Sequence, residues 1–123
     1  MIVGLDHVQL AAPPGVEEEA RRFYGGVLGL PEVPKPPGVA ASGGAWFRCG
    51  AQQLHVGVQD PFIAARKAHP GLAVADAATL AAIAERLTSA GAPVHWDDRL
   101  PDVPRFFTED PWGNRLEMCV PAS

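Results

Sequence analysis

Long apolar runs are missing from this chain. No stretch of about 18 apolar residues occurs, so no segment reads as a membrane-spanning helix. Cysteine is scarce: Cys49 and Cys119 are the only two. They cannot make a disulfide framework and are too few for a cysteine-type structural zinc site. They read as reduced, partly buried thiols. Basic charge is not in excess. Ten Lys and Arg against fourteen Asp and Glu leave a net charge of −4, and without a basic stripe no nucleic-acid partner is expected. Residues 1–9 lack a basic segment followed by an apolar core, so no signal peptide is read and a cytoplasmic protein is expected.

What is present is the make-up of an ordinary globule, 123 residues with 47% hydrophobic and 20% charged side chains. That length fits one domain, and within it the chain repeats itself. At an offset of 62, His7 falls on His69, Leu10 on Leu72, Gly29 on Gly91, Pro31 on Pro93, His55 on Glu117 and Val58 on Val120.

Structural signals recur in the same order in both copies. Residues 3–10 are apolar and β-branched and predict a strand, stopped by Pro13, Pro14 and Gly15. Residues 16–28 predict a helix, with Ala20, Phe23, Tyr24, Val27 and Leu28 as its stripe and Gly29 as its left-handed end. Strands are expected at 30–33, 45–49 and 53–58, with a proline- and glycine-rich loop over 34–44. The second copy reads as a strand over 71–74, then a helix over 77–90 capped by Asp76. Strands over 94–97, 105–108 and 115–120 follow, the last two joined by the turn Asp110-Pro111-Trp112-Gly113-Asn114. Each copy is therefore a βαβββ unit, module one over about residues 1–60 and module two over about 69–123 of a single domain.

Side chains alternate across a strand. Leu5, His7 and Gln9 share one face of the first strand. Gln53, His55 and Gly57 oppose Leu54, Val56 and Val58. Arg115, Glu117 and Cys119 oppose Leu116, Met118 and Val120. The apolar face belongs against the helix. The other face carries His7, His55 and Glu117, and His69 opens the matching strand of the second copy. Imidazole and carboxylate are ligands for zinc, nickel, manganese or iron. Histidine also titrates near the working pH and can serve as a base. The expected metal set is His7, His55, His69 and Glu117, with Glu117 and His55 as catalytic candidates. Arg48, Trp46, Phe62, Arg66, Phe107 and Trp112 are candidates for binding a substrate, Arg48 by pairing with an anionic group. Lys67, Trp96 and Arg105 are further rim candidates.

These segments resemble the vicinal oxygen chelate superfamily, which includes glyoxalase I, extradiol dioxygenases, fosfomycin-resistance enzymes and bleomycin-resistance proteins. The carriers are Leu5-Asp6-His7-Val8-Gln9-Leu10, Phe23-Tyr24 with Val27-Leu28-Gly29-Leu30, and Asp110-Pro111-Trp112-Gly113-Asn114-Arg115-Leu116-Glu117. The resemblance implies an α+β, glyoxalase-like fold in which two tandem βαβββ modules form a curved mixed sheet around a cleft. It places metal ligands on the first and fourth strands of each module, matching His7, His69 and Glu117, with His55 at the variable fourth position. Glyoxalase I has a glutamate where His55 stands, which points away from the glyoxalase reaction itself. The implied function is an enzyme holding two neighbouring oxygens of a small substrate at a divalent metal, of isomerase, lyase or dioxygenase type. The alternative is a metal-free binding protein resembling the bleomycin-resistance proteins. A homodimer is the expected assembly.

Overall fold

Alternating burial builds eight short strands in the computed structural model, which describes residues 1–122. β1 (His7–Ala12), β2 (Glu32–Val33), β3 (Ala45–Cys49) and β4 (Gln52–Val58) make one sheet, in the order β1-β4-β3-β2. β5 (Gly71–Ala73), β6 (His95–Asp97), β7 (Arg105–Glu109) and β8 (Arg115–Cys119) make the other, in the order β5-β8-β7-β6. In each sheet the first and last strands run parallel and the other neighbours antiparallel. Parallel neighbours need a long connection, and the helix and two intervening strands supply it. The chain divides into two units, Met1–Ile63 and the part from Ala64 onward. Each is a strand, a helix and three strands, and the fold is α+β and glyoxalase-like.

The repeat survives at the level of strand register. Gln9, Leu10 and Ala11 lie opposite His55, Val56 and Gly57. Gly71, Leu72 and Ala73 lie opposite Glu117, Met118 and Cys119. Adding 62 to every number of the first set gives the second. Register decides which face each side chain takes, so His55 and Glu117 occupy the same position in their sheets.

The helices differ between units. α1 (Glu17–Ala20) passes into a π-helical stretch over Arg21–Val27, where the sequence predicts plain α-helix. Gly25 and Gly26 weaken the α-helical preference there. The stretch closes through wide bonds, Leu28 N–H to the Phe23 carbonyl and Leu30 N–H to that of Tyr24, both 2.9 Å. α2 (Ala77–Ser89) is regular. The Asp76 carboxylate accepts the Thr79 amide at 2.7 Å, the N-cap read from the sequence. At its other end Ala92 N–H donates to the Leu87 carbonyl and Gly91 N–H to that of Thr88. This is the glycine-closed helix end, with Gly91 at φ +85° and its counterpart Gly29 at +75°. Among the described residues no helix is long and apolar enough to cross a membrane.

Each unit has its own core. Ala20, Phe23 and Tyr24 of the first helical segment are buried with Ala45, Phe47, Leu54 and Val56 of the sheet. The Tyr24 and Phe47 rings lie 5.7 Å apart. In the second unit Leu80, Ala84 and Leu87 are buried with Phe106, Leu116 and Met118. The 34–44 loop carries a single 3-10 turn at Ala40–Ser42. It ends at Gly44, where φ is +82° and an added Cβ would lie 2.0 Å from the Val56 carbonyl oxygen. Only glycine fits there.

The first strand departs from expectation. It begins at His7 rather than residue 3 and runs on to Ala12. Ile2 and Val3 are each 94% exposed and Leu5 is 74% exposed. Apolar, β-branched composition suits a strand, but here no neighbouring strand pairs with residues 1–5, so composition alone does not make one. His7 accordingly opens its strand and is not interior to it.

Candidate functional site

The polar face of the first sheet is a stack of rings. Trp46 and His55 are cross-strand partners on β3 and β4, and their rings lie 3.7 Å apart with planes 2° from parallel. His7 covers the other face of His55, at 4.3 Å and 21°. His55 is only 4% exposed. Its Nε2 pairs with the Gln53 side-chain oxygen at 2.8 Å. An amide oxygen only accepts, so Nε2 carries the proton. Burial, then the nearby His7, push the His55 imidazole below its ordinary pKa, against an opposing pull from Asp6. The ring is neutral at physiological pH. His7 is more open, with 44% of its side chain exposed, and its Nδ1 meets the Asp6 carboxylate at 2.9 Å.

The polar face of the second sheet is a chain of charges instead. His69 stands just before β5. The carbonyl of Pro70 accepts the Glu117 amide at 3.1 Å, so this edge contributes an acceptor where proline has no donor. His69 Nδ1 donates to the Lys67 carbonyl at 2.9 Å. Its Nε2 lies 3.1 Å from Glu117 Oε1. Glu117 Oε2 lies 3.4 Å from Arg105 Nη1, and Arg105 Nη2 lies 3.3 Å from Asp97. Asp97 in turn accepts from Arg99 Nε at 2.7 Å. Those bonds from Arg99, and then the charge of Arg105, hold the Asp97 carboxyl well below the usual carboxylate range. Phe107 lies directly across from Glu117. The Arg115 guanidinium sits 4.1 Å above its ring centre and that of Arg105 5.3 Å away.

With Nδ1 turned to the Lys67 carbonyl, Nε2 is the His69 nitrogen that faces Glu117, and a carboxylate is an acceptor only. A nitrogen and a carboxylate oxygen 3.1 Å apart share a cation between them, a proton or a metal ion. Ligand atoms at right angles, each about 2.1 Å from an ion, stand about 3.0 Å apart. The far atoms of both side chains are already tied, to Lys67 and Arg105, as outer partners usually tie metal ligands. His69 and Glu117 are therefore two donors of the kind that divalent ions take. Among the described residues no group of three or more His, Cys, Asp or Glu side chains is gathered closely enough to hold one. The four expected ligands stand as two pairs, His7 with His55 and His69 with Glu117.

The other candidates are dispersed. Trp46 and Phe107 take the cross-strand positions beside His55 and Glu117. Arg48 is exposed on β3 opposite Gln53. Phe62 is half-buried beyond the end of β4, and Arg66 and Lys67 are exposed. Trp112 lies in the turn before β8, where its amide donates to Asp110 at 3.1 Å. Trp96 is on the opposite, core-facing side, edge-on to Phe106. Asp6, Gln53 and Asp97 were not singled out by the sequence. Gln53 shares a face with His55 and Asp6 adjoins His7, signals that local spacing carried. Asp97 becomes visible only once β6 is paired with β7.

The glyoxalase-like domain model matches residues 13–119. The chain belongs to this glyoxalase-like family, within the vicinal oxygen chelate superfamily. A Bacillus anthracis protein assigned to the glyoxalase family is 45% identical, with a TM-score of 0.91 over 98% of this chain and 96% of that one. Lactoylglutathione lyase from Agrobacterium tumefaciens is 23% identical, with a TM-score of 0.73 over 95% and 92%. A variant of the fosfomycin resistance protein FosX from Listeria monocytogenes, complexed with manganese(II) and a dihydroxypropylphosphonic acid, is 15% identical, with a TM-score of 0.80 over 98% and 93%. The last two likenesses establish the shared fold. No curated protein sequence matches the chain.

Proposed function

We propose that this glyoxalase-like protein is a metal-dependent enzyme acting on a small oxygenated substrate, with His7, His69 and Glu117 as ligands of a divalent ion. The observation that carries the reading is the approach of His69 Nε2 to Glu117 Oε1 at 3.1 Å, with both far atoms anchored. The ion is zinc, nickel, manganese or iron by ligand type. When bound it supplies Lewis-acid polarisation of two neighbouring substrate oxygens, the chemistry common to isomerases, lyases and dioxygenases of this superfamily. Glu117 holds its charge in a fixed place because Arg105 grips its second oxygen. Trp46 and Phe107 shield His55 and Glu117 from water and offer apolar walls. Arg48, exposed on the same face as His55, is available to an anionic substrate group.

A second reading has one observation behind it. Both Glu117 oxygens already have partners, His69 and Arg105, so this face needs no ion to satisfy them, which suits a metal-free binding protein. Metal content separates the two. Untagged protein incubated with nickel, zinc, manganese and iron is expected to retain about one equivalent per chain by mass spectrometry, and Glu117→Ala to lose it. Retention below about a tenth of an equivalent for every ion would leave the binding-protein reading. We further propose a homodimer, because Ile2, Val3 and Leu5 leave apolar surface open to water. Sedimentation at monomer mass across the micromolar range would contradict it.

A further inference from the structure

We propose that His55 is a positioning residue: its ring, clamped between Trp46 and His7, is the platform that fixes the orientation of the His7 imidazole, and its nitrogens bind neither metal nor substrate. The inference rests on the reading of His7 as a metal ligand.

Three observations carry it. The His55 ring is covered on both faces, by Trp46 at 3.7 Å and His7 at 4.3 Å. Its Nε2 is occupied by Gln53 at 2.8 Å. The residue is 4% exposed, whereas the His7 side chain is 44% exposed. A half-exposed imidazole at the first residue of a strand would otherwise turn freely about its ring torsion. Its bond to Asp6 does little to stop that, since the Asp6 side chain is 97% exposed and water competes for it. The flat, buried surface of His55 is the stronger restraint, and Trp46 holds that surface from behind. Asp6 then selects the tautomer and leaves Nε2 of His7 free to ligate.

The comparison with the second unit supports the division of roles. Glu117 occupies the place of His55 in its own sheet, but it presents an oxygen to His69 rather than a closed ring face. The repeat conserves the position while the two side chains do different work.

A ring without nitrogen tests this directly. His55→Phe keeps a flat platform and removes both nitrogens, and His55→Ala removes the platform as well. Two readouts on the full chain are compared: the order of the His7 ring by 13C relaxation in metal-free protein, and nickel affinity by calorimetry. Expected is a His7 ring as ordered as its backbone in wild type and His55→Phe, and a loosened ring in His55→Ala. Nickel affinity should hold within about threefold in His55→Phe and fall by about 10–100-fold in His55→Ala. Equal losses in the two variants would overturn the proposal, because the nitrogen would then be what matters. An unchanged ring and affinity in His55→Ala would overturn it as well. Should His55→Ala not fold, Trp46→Phe and Trp46→Ala form a second pair: the ring must stay ordered in the first and loosen in the second, and any other pattern counts against the platform. A wild type that takes no nickel would defeat the proposed function alone, and the His7 ring order would still decide this inference.

Discussion

The two units share a scaffold and differ in what they place on it. Strand order, the parallel pairing of first and last strands, and register are the same. The polar faces are not. In the first unit His55 is held by ring stacking and is neutral. In the second, Glu117 at the matching position is held by His69 and Arg105 in a chain that continues through Asp97 to Arg99. The contrast teaches that the repeat fixes where a side chain stands, and that its neighbours across the strands decide what it can do. Trp46 beside His55 makes a wall, while Phe107 beside Glu117 lies under two guanidinium groups.

The apolar faces, by contrast, should prove equivalent. Phe47→Ala and Phe106→Ala each remove a ring that is 0% exposed, and each is expected to cost about 3–5 kcal/mol in urea unfolding. A large difference between them would break the symmetry at its base. The polar faces should separate more finely. Arg105→Met leaves Glu117 without its second partner and is expected to cost about 1–3 kcal/mol. Trp46→Ala should cost a similar amount through lost stacking and burial, about 1–3 kcal/mol, since Trp46 is only half-buried. The sharper difference is in metal affinity of the refolded variants. Under the proposed function Arg105→Met acts on Glu117 and Trp46→Ala on His7, ligands of one ion, so the loss in the double variant should depart from the sum of the two.

Acid should distinguish the units too, by a smaller amount. The Asp97 carboxyl titrates below its ordinary value of 3.8 because Arg99 and Arg105 favour its charged form. A carboxyl with a depressed folded-state pKa adds stability above its unfolded pKa, and that stability is lost as pH falls below about 4. Asp97→Asn should therefore unfold with less dependence on pH across that range than wild type, followed by circular dichroism in urea. An unchanged dependence would remove Asp97 from the chain of charges.

Much of this was legible in the sequence, for physical reasons. The offset of 62 could be read because strand pairing demands fixed spacing, and the paired registers carry the same offset. The Asp76 cap and the Gly29 and Gly91 helix ends follow from local chemistry that needs no tertiary partner. Two features did not. The widened helix over Arg21–Val27 depends on how Gly25 and Gly26 resolve a conflict between propensity and packing. The late start of β1 depends on where β4 offers a partner, which composition does not reveal. In the site, candidate residues were legible but their company was not. Spacing put His7 and His55 on one face, but nothing in it says that Trp46 closes the stack. Nor does it say that Arg105, read as a rim residue, joins Glu117 to Asp97.

We propose that the repeat supplies His7, His69 and Glu117 to a metal while His55 serves only as a platform. X-ray absorption of the nickel-loaded protein tests it most directly, because outer-shell imidazole scattering counts histidine ligands. Expected is a shell of nitrogen and oxygen at about 2.0–2.2 Å with two imidazoles, falling to one in His7→Ala and staying at two in His55→Phe. A third imidazole that disappears in His55→Phe would contradict it.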